Sequence, residues 1–376
     1  MESSIRLFSV RDIAIRMHIT FPLILVWAAL QFGLFNRGGW AGAIFGIVVT
    51  LLLFIIVVLH ELGHSFAALH YEVPVKQIVL LPIGGVAQLS RIPEKPGQEF
   101  VIAIAGPLVN FGLAILLAGV GLIFGQEISL THSLQLLDNS GRFTFSSVFS
   151  YVYVSNLLLG IFNLLPAFPM DGGRVLRALL ATQLSYDTAT TIAVFIGQSL
   201  AWLLGLWGFL NGGLFLILIA VFIFAGASAE RQLVHIRSVL GDLIVEQAYS
   251  RQARSLTPES TLRDAVKLTF STFQADFPVC EGEQLIGLLT HTRLLEALDS
   301  HGPDTPVVEV MLTDITPVTP KESMFAVQQR LSEDRLDALP VADGKRFLGL
   351  ITNRDISEVY RMVSSYPNLI PASKVS

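Results

Sequence analysis

Between Thr188 and Ala229 the chain carries no Asp, Glu, Lys or Arg. As helix at ~1.5 Å per residue this run is about 63 Å long, twice the ~30 Å hydrocarbon core of a bilayer. Asn211-Gly212-Gly213 interrupts it, so it predicts two membrane spans joined by a turn. Three further runs, Ala41 to Leu59, Phe100 to Gly125 and Ser146 to Met170, are equally free of charge and predict one span each. Ile19 to Phe35, with Pro22 near its start, predicts a shorter first span. Backbone polar groups find no water at that depth, so the spans are helical and the fold class is a polytopic α-helical membrane protein with about six transmembrane helices. Val75 to Leu89 is too short to cross and is broken by Pro82-Ile83-Gly84-Gly85. It predicts a β-hairpin at membrane level, a form tolerated only where it lines a cavity or packs on protein.

Charge placement orients the chain. Arg6, Arg11 and Arg16, then Lys76, Arg91 and Lys95, then Arg174 and Arg177, then Arg231 and Arg237 fall on one set of connections, against only Arg37 and Arg142 on the other. The positive-inside rule makes the first set, and both termini, cytoplasmic in a multi-pass protein of the cell membrane. The first residues, to His18, read as a retained polar segment without a cleavage site, and Arg174 and Arg177 read as anchors at the membrane surface. Charged residues make up 15% of the chain, against about 25% in soluble domains, and acidic residues concentrate after residue 230. A soluble half therefore follows the membrane half. A net charge of −5 gives no footprint for nucleic acid, and the single cysteine, Cys280, excludes an internal disulfide and a cysteine-based metal site.

The costliest groups stand at the end of the second span, in His60-Glu61-Leu62-Gly63-His64. Histidines at i and i+4 share one face of a helix and can share one zinc ion, with Glu61 beside them to take the proton of an attacking water. A catalytic zinc needs a third protein ligand and one open position. Asp171 is available for it: it follows Pro166 and Pro169, which stop the fourth span, and precedes Gly172-Gly173. Alone, such an aspartate more often caps a helix, here one beginning near Arg174.

These residues resemble the site-2 protease family of intramembrane zinc metalloproteases. The chain matches its His-Glu-x-x-His motif at His60, Glu61 and His64, and its Asn-x-x-Pro…Asp-Gly motif at Asn163, Pro166, Asp171 and Gly172. A Gly-x-x-x-Asn-like element is present as Gly106 to Asn110. The resemblance implies one zinc per chain held by His60, His64 and Asp171, with Glu61 as general base and acid. It also implies a membrane-spanning protein substrate, cut by regulated intramembrane proteolysis. Asn110 and Asn163 would hold the substrate backbone or stabilise the oxyanion, or would only bond helix to helix. The hairpin would receive an unwound substrate by strand addition.

After Arg237 a pattern recurs. Thr257-Pro258 returns as Thr319-Pro320, Phe277-Pro278-Val279 as Leu339-Pro340-Val341, and Leu285 to Thr290 as Phe347 to Thr352, always with the same offset. Each unit reads helix, strand, turn, strand, helix. The pattern resembles a tandem pair of CBS domains, which implies adenine-nucleotide binding with Thr352 and Asp355 at the ribose hydroxyls, or a pair that serves only dimerisation. The first repeat departs, with Arg293 at the aspartate's position. The expected division is 1–18, 19–229 (membrane protease), 230–244 (linker), 245–363 (repeats 245–300 and 306–363) and 364–376 (tail). Two other classes compete: a transporter or channel gated by CBS domains, and a catalytically inactive protease-like scaffold. An ion path would spread polar groups through the membrane depth, whereas here they cluster at one face with an intact ligand pattern.

Overall fold

A computed structural model describes residues 4–89, 95–125 and 144–366. Arg91, Arg142 and most of the connection from Gln126 lie outside the described residues, as does the tail beyond Tyr366. The chain forms two compact units, Met1–Arg231 and Gln232–Ser376.

The first unit opens with two strands where the sequence reading placed only a polar segment. β1 (Ser4–Val10) and β2 (Ile13–His18) pair antiparallel. The alternation Ile13-Ala14-Ile15-Arg16-Met17 puts Ile13 and Ile15 on one buried face. Then come α1 (Pro22–Leu30), a π-helical turn (Gln31–Phe35) and α2 (Gly39–His70). The expected hairpin is present as β3 (Val75–Leu81) and β4 (Gly84–Leu89). It does not stand alone, because β3 pairs in parallel with β2 to give a four-stranded sheet in the order β1-β2-β3-β4. Ile13, Ile15, Ile78 and Leu80 of this sheet pack with Val58 and Leu62 of α2, so the sheet is seated on the turns that carry the histidines.

α3 (Pro96–Ile123), α4 (Phe145–Asn163), α5 (Asp171–Leu180), α6 (Tyr186–Leu210) and α7 (Leu214–Leu240) follow. Among the described residues, α2, α3, α4, α6 and α7 are long and apolar enough to cross a membrane. The expected first span is a shorter apolar helix, Pro22–Phe35. It packs closely on α2, since a Cβ on Gly46 would lie 2.5 Å from the Ala28 carbonyl oxygen. Small residues that let backbones approach are the usual basis of helix association in lipid. Asn211-Gly212-Gly213 turns the chain between α6 and α7 as expected, with Gly212 at φ +68°.

The second unit repeats itself in detail. α8 (Leu262–Thr272), β5 (Phe277–Glu281), β6 (Gln284–Leu289) and α9 (His291–His301) correspond to α10 (Met324–Asp334), β7 (Ala338–Asp343), β8 (Arg346–Thr352) and α11 (Asn353–Ser365). The four strands form one antiparallel sheet, β5-β6-β8-β7. Equivalent positions do equivalent work: Phe273 and Arg335 end their helices in the left-handed region, and Gly282 and Gly344 turn the hairpins at positive φ. Cys280 is buried as a small apolar residue would be. α11 runs to Ser365, so the expected tail from residue 364 begins as helix.

Candidate active site

The i, i+4 spacing on α2 places the rings of His60 and His64 4.7 Å apart, and both are buried. Asp171 meets them from another element. The prolines end α4 at Asn163, and the loop from Leu164 to Met170 delivers Asp171 as the first residue of α5, three residues earlier than a start near Arg174. A Cβ on Gly172 would lie 2.2 Å from the Leu165 carbonyl oxygen, so only glycine lets α5 begin this close to the loop. The result is a compact triangle. His60 Nε2 and His64 Nε2 are 3.1 Å apart, and Asp171 Oδ2 lies 3.2 Å from the first and 3.1 Å from the second.

The triangle fits a tetrahedral cation. Ligand atoms held at about 2.0–2.1 Å from zinc in a tetrahedron stand about 3.3 Å from one another. The far side of each ring is also committed. His60 Nδ1–H donates to Asn110 Oδ1, and His64 Nδ1–H donates to the Ile102 carbonyl oxygen at 2.7 Å. That selects the tautomer with an Nε2 lone pair aimed at the shared point, the arrangement metal-ligating histidines require. α3 approaches so closely that a Cβ on Gly106 would sit 2.2 Å from His64 Nε2 and 2.7 Å from His60 Nε2.

Glu61, one residue along, faces the hairpin. Its Oε2 accepts the Ala87 backbone N–H at 3.2 Å, and a Cβ on Gly85 would lie 2.9 Å from its Cγ. Among the described residues β4 has β3 as its one sheet neighbour, so the strand facing Glu61 is an edge of the sheet.

The remaining candidates are placed differently. Asn110 is buried behind His60, where its Nδ2 donates to Asn156 Oδ1 at 2.8 Å and Asn156 Nδ2 returns a bond to the Asn110 carbonyl at 2.9 Å. Asn163 turns back on its own helix, donating to the Leu159 carbonyl at 3.0 Å. In the soluble unit Thr352 and Asp355 form a capping box at the start of α11, the hydroxyl donating to Asp355 Oδ2 at 2.7 Å. Arg293, at the equivalent place in the first repeat, donates to the Val310 carbonyl at 3.1 Å. Sequence reasoning missed Asn156 and the Ile102 carbonyl. An amide inside a charge-free run was the available signal for Asn156. Arg177 corrects an expectation outright: it is no surface anchor but is 1% exposed and paired with Glu99 and Glu230.

The model of peptidase family M50 matches residues 48–204, and that of the CBS domain matches residues 245–300 and 307–361. Zinc metalloprotease MJ0392 of Methanocaldococcus jannaschii is 35% identical over 361 residues, 95% of this chain and 96% of that protein. Stage IV sporulation protein FB of Bacillus subtilis is 30% identical over 239 residues, 61% of this chain and 72% of that one. Among solved structures, the site-2 protease from Methanocaldococcus jannaschii is 42% identical, covers 61% of this chain and 95% of its own, and superposes with a TM-score of 0.45. With a relative this similar over nearly its whole length, the chain belongs to peptidase family M50 and is a zinc metalloprotease of the site-2 protease type, an integral membrane protein with a C-terminal CBS domain pair.

Proposed function

We propose that the protein hydrolyses peptide bonds of membrane-spanning substrates, with zinc held by His60, His64 and Asp171 and with Glu61 as general base and acid. The observation that carries this reading is the triangle of two Nε2 atoms and one carboxylate oxygen, 3.1–3.2 Å on each side, with Glu61 on the adjoining residue of α2. Zinc, when bound, supplies Lewis acidity that polarises a carbonyl and lowers the pKa of water. Asn110 and the Ile102 carbonyl hold the two imidazoles in the ligating tautomer. Glu61 takes a proton from the attacking water at a carboxylate oxygen and passes it to the amine nitrogen as the C–N bond breaks. The edge of β4 receives the unwound substrate as an added strand, main chain to main chain. A span of a substrate hides its peptide groups in helical hydrogen bonds, so an extended segment laid on this edge is what presents a scissile bond to Glu61.

The finer assignments belong to the same reading. The site faces the cytoplasm, both termini lie on that side of the cell membrane, and the CBS pair regulates cleavage through an adenine nucleotide or through pairing with a second copy. The division at 1–18, 19–229, 230–244, 245–363 and 364–376 is kept as the functional one. Glu61→Gln tests the centre of the proposal. The variant should retain zinc and lose cleavage of a membrane substrate by several orders of magnitude; cleavage at the wild-type rate would overturn the mechanism.

A further inference from the structure

Away from the histidines the first unit buries a second set of ionic groups. The Arg177 guanidinium donates from Nε and Nη2 to Glu99 Oε1 at 2.9 and 2.5 Å, and from Nη1 to Glu230 Oε1 at 2.5 Å. It lies 4.8 Å from the centre of the Tyr186 ring and 4.9 Å from that of Phe168. Two carboxylates meet one guanidinium here, and Glu99 Oε2 is buried with no hydrogen-bond partner among the described residues. Such a cluster is a poor source of stability, because desolvating the charges cancels much of their attraction and an apolar set of similar volume often holds better. What it gives is a directed, multi-point joint.

Two of the elements it joins serve the metal triangle: α5 supplies Asp171, and α3 holds the two imidazoles from behind. Glu99 is on α3, three residues before the carbonyl that holds His64 and on the same helix as Gly106 and Asn110. Arg177 is on α5, six residues after Asp171, or about 9 Å along the helix axis. Phe168 belongs to the loop that delivers Asp171. Glu230 is on α7. We propose that Arg177 is a positioning residue: held by Glu99 and Glu230 together, it sets where α5 places Asp171 against His60 and His64, and it makes that placement depend on α7. This rests on the reading of Asp171 as a zinc ligand.

The test uses the full-length protein in detergent, with Arg177→Met, Arg177→Lys, Glu230→Gln and Asp171→Asn. The measurements are the rate of zinc release to a chelator, thermal stability, and kcat and KM on a membrane substrate. A positioning role predicts zinc release faster by roughly tenfold or more in Arg177→Met and Glu230→Gln, a lower kcat at unchanged KM, and partial rescue in Arg177→Lys. Thermal stability should hold in Glu230→Gln, which keeps the size of the side chain and keeps the proposal testable if Arg177→Met does not fold. Wild-type zinc release in Glu230→Gln and Arg177→Lys, beside fast release in Asp171→Asn, would overturn the positioning role alone. Wild-type release in Asp171→Asn would remove the ligand assignment itself, and the proposal with it.

Discussion

Asn110 Oδ1 stands 2.5 Å from His60 Nδ1, so one helix aims a histidine carried by another. The amide is held from behind by Asn156 on α4, which makes three helices responsible for one ring. Asn110→Ala should leave His60 free to adopt the other tautomer and should weaken zinc binding by roughly tenfold to a hundredfold. Chelator competition on the purified protein measures this. Affinity equal to wild type would show that the amide only packs.

Gly106 faces both imidazoles at a distance no side chain can share. Gly106→Ala should abolish zinc binding, because His64 cannot retreat without leaving the triangle. A Cβ on Gly112 of the same helix would meet nothing within 4 Å, and Gly112→Ala should instead stabilise the helix by about 0.5–1 kcal/mol. Metal content of the two variants, measured side by side, separates close approach from helix propensity.

The Ala87 N–H points to Glu61 and away from β3, whereas Val86 lies opposite Val79 within the hairpin. Proline is tolerated on an edge strand where its missing N–H faces outward. Ala87→Pro should therefore keep the fold and zinc and lower substrate turnover, while Val86→Pro should destabilise the sheet as well. Unchanged turnover in Ala87→Pro would sink strand addition at this edge.

In the soluble unit Asp276 is buried, and burial pushes its carboxyl above the usual carboxylate range despite the bond it accepts from the His291 N–H at 3.0 Å. Asp337 nearby raises it further. A carboxyl that binds its proton more tightly when folded favours the folded state below its folded pKa and costs stability as pH rises through the interval above the ordinary value. Asp276→Asn should raise the unfolding temperature of the CBS pair at neutral pH and reduce the loss that sets in as pH rises above the ordinary carboxylate value. Scanning calorimetry of the full-length protein at several pH values tests both directions.

What was legible in the sequence divides by range. Charge-free runs and an i, i+4 histidine pair are local patterns, and they located the long spans and two corners of the triangle of His60, His64 and Asp171. The fixed offset between the repeats carried through to equivalent caps and turns, down to Phe273 and Arg335. β1 and β2 escaped because six alternating residues with Arg16 among them give a weak signal, and because the partner β3 lies beyond two helices. Arg177 escaped for a related reason. An arginine at a helix end is ordinarily solvated, and only the gathering of α3, α5 and α7 around it supplies the two carboxylates. Asn110 was legible as a polar group in a span, but its choice of His60 was not.

The parallel pairing of β2 with β3 has a consequence for how the protein is made. The first hairpin leaves the ribosome before α1 and α2, yet its partner strand follows them, so two hydrophobic helices must be inserted before the sheet can close. Until then β2 exposes an unpaired edge of Ile13, Ile15 and Met17, the kind of template that recruits foreign strands. The seat beneath Glu61 is thus completed late in biogenesis, and a nascent chain stalled before Val75 would hold His60 and His64 without the strand edge that Glu61 faces.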